Sequence, residues 1–227
     1  MSLLSRDALD DGSLRDRLAM PPGLAWSEEQ VAESLAATLA QRPPGPVWVF
    51  GYGSLMWNPL LAFAERQVAT LEGWQRSFCM RTITGRGRPE QPGRMLSLEP
   101  GGRVQGVALR LRDAEVEREL RALWRREMLT GAYQPLWAPL ALQRGGTAQA
   151  IVFVARPGHP MHEADTSVAT VARRVAVAAG AFGPNIDYLH ALARALAAEG
   201  LHDETVDELL QAVERLCRPP GSPVSAS

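Results

Sequence analysis

The chain has 227 residues, of which 46% are hydrophobic, and its formal net charge is -1. This length and apolar content suit one moderate domain with its own buried core, and the balanced charge argues against nucleic-acid binding and against a polybasic membrane patch. The sequence contains no lysine, so all 24 of its basic residues other than histidine are arginine. Schiff-base chemistry and a P-loop lysine are therefore excluded.

The sequence gives no sign of membrane insertion or export. No apolar run approaches the roughly 20 residues that span a bilayer, and the charged N-terminus lacks the apolar core of a secretory signal. The two cysteines, Cys79 and Cys217, are far apart, which argues against a disulfide scaffold and a cysteine-based zinc site. We expect a cytoplasmic protein, with a monomer favoured.

Residues 1–45 are predicted to form a helical extension that packs on the main domain. Ser27 to Gln30 matches a capping box, apolar residues follow it at helical spacing, and the proline-rich stretch 42–46 ends the helix. The main domain is predicted to span residues 46–216, and residues 217–227, rich in proline, glycine and serine, are predicted to be a disordered tail.

Apolar alternation, punctuated by glycine and proline, predicts strands in the middle of the chain, and helical periodicity predicts helices around them. The loop at 84–93 separates two of the strands. Because no repeated strand–helix–strand pattern is present, we predict an α+β fold with a mixed, barrel-like sheet and flanking helices. The predicted strands are Val47–Phe50, Val68–Leu71, Trp74–Thr84, Arg94–Leu98, Val104–Leu111, Pro135–Leu142 and Ala148–Ala155, and the predicted helices after residue 45 are Ala114–Leu129, Ser167–Ala181, Asp187–Ala198 and Asp203–Leu216.

A glycine-rich turn follows the first predicted strand, with the sequence Gly51, Tyr52, Gly53, Ser54, Leu55. Both glycines permit a positive φ, and successive backbone N–H groups in such a turn can form a concave site for an anion or an oxyanion. The turn lacks the third glycine of a dinucleotide fingerprint, and Ser54 does not lie in a nucleophile elbow. By pattern alone it is either a structural connection or a substrate-binding loop.

One carboxylate conflicts with the pattern of its helix. Val116, Leu120 and Leu123 form an apolar stripe, and the next position of that stripe is Glu127. Arg126 is rotated by about 100° from it and is predicted to face elsewhere. An inward-facing carboxylate resists ionisation and is suited to proton transfer, or it pairs structurally with a buried arginine or a backbone donor.

The other carboxylates and histidines give weaker signals. Glu115, Glu117 and Glu119 lie early in the same helix and are predicted to be solvated. His159 and His162 have i, i+3 spacing, but proline flanks them and no third ligand is evident, so a metal site is not predicted.

Four motifs occur in a fixed order along the chain: FGYGSLMW at residues 50–57, a loop from Arg86 to Gly93, WRREM at 124–128 followed by GAY at 131–133, and GPN at 183–185 followed by DYL at 187–189. In this combination the chain resembles the ChaC-type, glutathione-specific γ-glutamylcyclotransferases over roughly residues 46–216. One departure is Ala132, where the family commonly has a second glycine.

The resemblance implies a γ-glutamylcyclotransferase-like fold and the conversion of glutathione to 5-oxoproline and cysteinylglycine, without a metal or cofactor. It implies that Glu127 is the catalytic acid/base. The expected substrate-binding residues are Gly51, Tyr52, Gly53, Ser54, Leu55, Arg86, Tyr133 and Tyr188. Two alternatives stay open: a cyclotransferase for another γ-glutamyl amine or dipeptide, and a non-catalytic regulatory or binding module on the same fold.

Overall fold

The computed structural model describes residues 3–18 and 20–218. Three helices lie within the described part of the first 45 residues: α1 (Arg6–Asp10), α2 (Leu14–Arg17) and α3 (Glu28–Ala40). The predicted capping box is confirmed, since the Ser27 hydroxyl accepts from the Gln30 amide while the Gln30 side chain accepts from the Ser27 amide. The boundary at residue 45 stays a prediction, and residues 219–227 of the predicted tail lie outside the described residues.

Five strands form a closed barrel in the order β1, β3, β2, β4, β5. The barrel closes where β1 and β5 pair in parallel, and its other strand pairs are antiparallel. Together with the helices around it, this confirms the predicted α+β fold with a mixed, barrel-like sheet. The strands are β1 (Trp48–Gly51), β2 (Phe63–Thr82), β3 (Gly93–Leu111), β4 (Tyr133–Leu142) and β5 (Thr147–Ala155).

Strands β2 and β3 are each one long element, although the sequence predicts two strands for each of them. They pair over nearly their whole length, with register shifts that include one between Glu72 and Trp74. Gly73 lies at this irregularity with φ +80°, a conformation that glycine adopts at little cost. The glycine therefore bends the strand without ending it.

Helix α4 (Val116–Glu127) follows a short 3₁₀ turn and packs its apolar stripe on the barrel. Leu120 and Leu123 are fully buried, as predicted. Trp124, also fully buried, meets Phe153 of β5 edge-on, with ring centroids 5.1 Å apart. This packing fixes the end of α4, where Glu127 lies, relative to the barrel.

The last third of the chain contains helices α5 (Val168–Val177), α6 (Asn185–Ala198) and α7 (Glu204–Cys217). Helix α5 is shorter than predicted because a small hairpin of β6 (Ala179–Gly180) and β7 (Gly183–Pro184) follows it. None of the helices in the described ranges is long and apolar enough to cross a bilayer.

We define residues 3–18 as the N-terminal segment. Ion pairs and hydrogen bonds of charged side chains hold this segment on α4. Glu119 is 1% exposed and accepts hydrogen bonds from Arg6 and from the Ala62 amide, the latter at 2.8 Å. The prediction that Glu119 is solvated is therefore wrong. It rested on the position of Glu119 near the start of α4, where nothing local reveals that α1 covers this face.

Replacing Glu119 with alanine is expected to lower the free energy of unfolding by about 3 kcal/mol, because the Ala62 amide and the Arg6 guanidinium lose a buried partner. Chemical denaturation measures this. Glu117→Ala is the matched control, since the Glu117 side chain on the same helix is 83% exposed, and we expect it to stay within about 0.5 kcal/mol of the wild type. Equal stability of the two variants would show that the N-terminal segment does not depend on this contact.

Candidate active site

A cleft of about 500 Å³ lies between the end of α4, the turn after β1 and the N-terminal segment. Its size is in the usual range for small-molecule sites. One part of its lining is polar and surrounds Glu127. Its lining residues are Leu3, Leu4, Leu14, Leu18, Tyr52, Gly53, Ser54, Leu55, Trp57, Asn58, Arg86, Met95, Leu96, Arg126, Glu127, Leu129, Tyr133, Phe153, Ala181, Phe182 and Tyr188.

The glycine-rich turn lines this cleft and continues into a 3₁₀ helix (Ser54–Met56). Neither glycine of the turn has a positive φ, so this part of the prediction is wrong. Close approach explains the glycines instead. A Cβ at Gly51 would lie 3.0 Å from the Leu55 Cβ, and a Cβ at Gly53 would lie 3.0 Å from the Tyr188 hydroxyl.

Glu127 and the glycine-rich turn are joined by Arg126. The Arg126 Nε lies 3.0 Å from Glu127 Oε1, and Nη2 donates to the Ser54 hydroxyl at 2.7 Å. Its Nη1 donates to the carbonyls of Asn58 and Pro59 at 2.5 and 3.2 Å. The prediction that Arg126 faces elsewhere is therefore wrong: α4 ends at Glu127, and the long side chain reaches back over this end to the turn.

The pKa of Glu127 is raised above its ordinary value because the carboxyl is buried, and the positive charge and hydrogen bond of Arg126 partly offset this shift. The two influences oppose each other. Burial favours the protonated acid, whereas Arg126 favours the carboxylate. A group balanced in this way can accept a proton in one step and return it in the next.

Three tyrosines surround the polar part of the cleft. The Tyr52 hydroxyl donates to the Phe153 carbonyl at 2.5 Å, and the Tyr133 hydroxyl donates to the Leu96 carbonyl at 3.2 Å. Burial, together with the nearby charge of Glu127, raises the pKa of Tyr52, Tyr133 and Tyr188. All three therefore stay protonated phenols at neutral pH.

Arg86 reaches the cleft from the loop between β2 and β3. Its Nη1 donates to the Pro184 carbonyl at 3.0 Å and lies 3.8 Å from Asp187. Asn185 holds the end of this loop, because its side chain accepts from the Arg94 amide at 2.7 Å and donates to the Arg94 carbonyl at 3.0 Å. The Arg86 guanidinium is thereby placed at the same cleft as Glu127.

The structure brings Glu127 and seven of the eight predicted substrate-binding residues to one cleft; the exception is Gly51, which ends β1 and is buried. Sequence reasoning missed Arg126 and the leucines of the N-terminal segment. The need of a buried carboxylate for a counter-ion points to Arg126, its direct neighbour. The leucines have no comparable local signal.

The histidines of the segment 159–162 lie outside the cleft lining. His159 contacts the Thr130 carbonyl at 3.1 Å, and His162 contacts Glu99 at 2.9 Å. The ligand atoms of Cys79, Glu99 and His162 lie within 4.8 Å of one another, with Cys79 buried. The i, i+3 spacing of His159 and His162 therefore does not bring the two histidines to one site, since each contacts a different partner.

Replacing Gly53 with alanine is expected to lower kcat/KM by about tenfold, because the new methyl group displaces the Tyr188 hydroxyl from the cleft wall by a few tenths of an ångström. Tyr188→Phe removes the hydroxyl oxygen that the new methyl group would contact. In a double-mutant cycle, the loss caused by Gly53→Ala should be smaller in the Tyr188→Phe background. Strictly additive effects would contradict this contact as the cause.

The barrel, the paired carboxylate and the glycine-rich turn define the class of protein, and the chain belongs to the ChaC-like family, whose model matches residues 47–216. This confirms the resemblance seen in the sequence. The chain is 49% identical over 216 residues to the glutathione-specific gamma-glutamylcyclotransferase of Escherichia coli strain K12, with 94% of each chain covered. It is 30% identical over 154 residues to glutathione-specific gamma-glutamylcyclotransferase 1 of Homo sapiens, which covers 66% of this chain and 69% of the human protein.

Among solved structures, the fold is similar to that of a gamma-glutamyl cyclotransferase specific to glutathione from yeast. The TM-score is 0.69, with 20% sequence identity, and the match covers 77% of this chain and all of the yeast chain. At this identity the likeness concerns the fold.

Proposed function

We propose that this chain is a γ-glutamylcyclotransferase that converts glutathione to 5-oxoproline and cysteinylglycine. The observation that supports this most is a largely buried carboxylate, Glu127, whose side chain is 15% exposed and is joined through Arg126 to a glycine-rich turn at the edge of a cleft of substrate size. The E. coli relative, which is 49% identical to this chain, is named as a glutathione-specific enzyme, and this supports the same substrate.

The reaction needs one group that moves a proton twice. The α-amine of the glutamyl residue loses a proton and attacks the γ-carbonyl carbon, and a five-membered lactam forms as the bond to the cysteinyl nitrogen breaks. That nitrogen leaves with the proton. Glu127 accepts the proton from the amine and returns it to the leaving nitrogen, so the carboxylate is regenerated. No water is consumed.

The turn after β1 supplies the binding site for the glutamyl end. The first amides of the 3₁₀ helix that begins at Ser54 precede its first internal hydrogen bond. In this proposal the amides of residues 53–55 bind the α-carboxylate of the substrate or the oxyanion that forms on the γ-carbonyl. Because the attacking amine and the carbonyl belong to one folded substrate, positioning supplies a large part of the rate.

The rate is expected to fall as the pH falls through the raised pKa of Glu127. The group must be a carboxylate to accept the first proton, and burial places its pKa above the ordinary 4.5 of a glutamic acid. The acid limb of kcat/KM against pH should therefore have its inflection above 4.5. A profile that stays flat down to pH 4.5 would contradict this role for Glu127.

Incubation of the purified protein with glutathione tests the proposal directly. Chromatography should show 5-oxoproline and cysteinylglycine in equal amounts. If γ-glutamyl-alanine or a similar compound is converted and glutathione is not, the substrate is another γ-glutamyl compound. If none is converted, the fold serves a non-catalytic module. The cytoplasmic location and the monomeric state stay predictions, and gel filtration tests the second.

A further inference from the structure

The cleft has an apolar part that the reaction itself does not use. We define the apolar wall as the six side chains of Leu3, Leu4, Leu14, Leu18, Leu129 and Phe182, which line the cleft together with Glu127. Four of them come from the N-terminal segment, which precedes the part of the chain that the family model matches. The wall is therefore an addition to the barrel and its polar site.

Five of the six side chains of the wall form a packed unit. Leu14 and Leu18 belong to a buried cluster with Ala8, Leu9 and Ala122, and Leu4, Leu129 and Phe182 pack against that cluster. Ala122 lies on α4, five residues before Glu127, so the cluster rests on the helix that carries the proposed acid/base. Helix α4 therefore supports both the apolar wall and Glu127.

Arginines fix the position of the N-terminal segment. Arg125 of α4 donates to the carbonyls of Leu9 and Asp10 at 3.0 and 2.6 Å. Arg118 contacts the Asp10 carboxylate at 2.8 Å, and Arg6 pairs with the buried Glu119. These four contacts to α4 hold the N-terminal segment, and with it the leucines of the apolar wall, in a fixed position at the cleft.

Glutathione itself has no large apolar group that would cover the apolar wall. Its γ-glutamyl and glycyl ends carry charged groups, its amides are polar, and only short methylene groups lie between them. The thiol is the most nucleophilic group of glutathione, and an alkyl group attached to its sulfur changes neither the amine nor the γ-carbonyl nor the bond that breaks. An alkyl chain on the sulfur can cover the partly exposed members of the wall, Leu3, Leu4, Leu129 and Phe182, while Leu14 and Leu18 are buried behind them.

We propose that the apolar wall binds a substituent on the sulfur, and that the chain converts S-alkylglutathiones to 5-oxoproline and the S-alkylated cysteinylglycine. This inference rests on the proposed function, because it uses the same ring closure. The carbon–sulfur bond stays intact. The amine forms the lactam, the γ-amide bond breaks, and the proton passes through Glu127 as with glutathione.

Initial rates with glutathione, S-methylglutathione, S-butylglutathione and S-hexylglutathione test the inference, with 5-oxoproline measured for each. We expect kcat/KM to rise along the series and to be at least tenfold higher for S-hexylglutathione than for glutathione, since burial of about two methylene groups gives a factor of this size. A series that is flat, or that falls with chain length, overturns the inference.

Variants of the wall show whether it is the cause. In Leu14→Ala, the ratio of kcat/KM for S-hexylglutathione to that for glutathione should fall at least threefold. Phe182→Ala, at a partly exposed position, should lower the same ratio even if Leu14→Ala folds poorly. Leu216→Ala is the control, because Leu216 is 54% exposed on α7 and does not line the cleft. A ratio that stays unchanged in both wall variants overturns the inference.

The two proposals fail in different ways. If glutathione yields no 5-oxoproline, the proposed function is wrong whatever the conjugates do. If glutathione is converted and the S-alkyl compounds are not, only the role of the apolar wall is wrong.

Discussion

Replacing Glu127 with glutamine is expected to lower kcat for glutathione by about 10²- to 10⁴-fold, the range that general acid–base catalysis by one side chain supplies. Glutamine keeps the size of the side chain, but it neither accepts the proton of the α-amine nor returns it to the cysteinyl nitrogen. KM should change much less, because in this account the turn after β1 binds the substrate. Steady-state kinetics with glutathione measures both constants.

Two controls separate this loss from a change in folding. Glu117→Gln alters an exposed carboxylate of the same helix and should retain wild-type kcat. Circular dichroism of Glu127→Gln should match that of the wild type, because Trp124 and the leucines of α4 hold the helix on the barrel. A Glu127→Gln enzyme with kcat within tenfold of the wild type would remove Glu127 from the mechanism.

Replacing Arg126 with glutamine is expected to lower kcat at pH 7 by about 10- to 100-fold and to move the acid limb of the pH profile to higher pH. The charge and the hydrogen bond of Arg126 lower the pKa of Glu127 against the effect of burial. Without its charge the carboxyl stays protonated to higher pH, and less of the enzyme has the base in its active form. The Ser54 hydroxyl also loses a donor, so the turn is less well positioned.

The shift of the pH profile is the decisive readout for Arg126, because a merely structural role would lower kcat without moving the profile. Arg121→Gln is the matched control. Its side chain is 62% exposed on the same helix, and it should leave both kcat and the profile unchanged. An acid limb that stays in place in Arg126→Gln would mean that this arginine does not set the protonation of Glu127.

The sequence predicts the parts of this structure that depend on local pattern. The stripe of Leu120 and Leu123 identifies the buried face of α4 and places Glu127 on it, and the strands are recognised by alternation. The capping box at Ser27 fixes the start of α3. Each of these features depends on residues within a few positions of one another.

What the sequence does not predict depends on contacts between distant parts of the chain. Barrel closure joins β1 to β5 about 100 residues later; no local signal specifies that pairing. Glu119 is buried because α1 covers it, and Arg126 turns inward because the turn at Ser54 offers an acceptor. In both cases the burial of a charged side chain is decided by its partner.

The most direct test of the central claim, ring closure by the substrate's own amine with Glu127 as the acid/base, is the reaction of glutathione in water enriched in ¹⁸O, followed by mass spectrometry. Ring closure takes no oxygen from water, so the wild-type enzyme should give 5-oxoproline of unchanged mass, and Glu127→Gln should give almost none. Glutamate that carries ¹⁸O would show hydrolysis by water and would contradict the account.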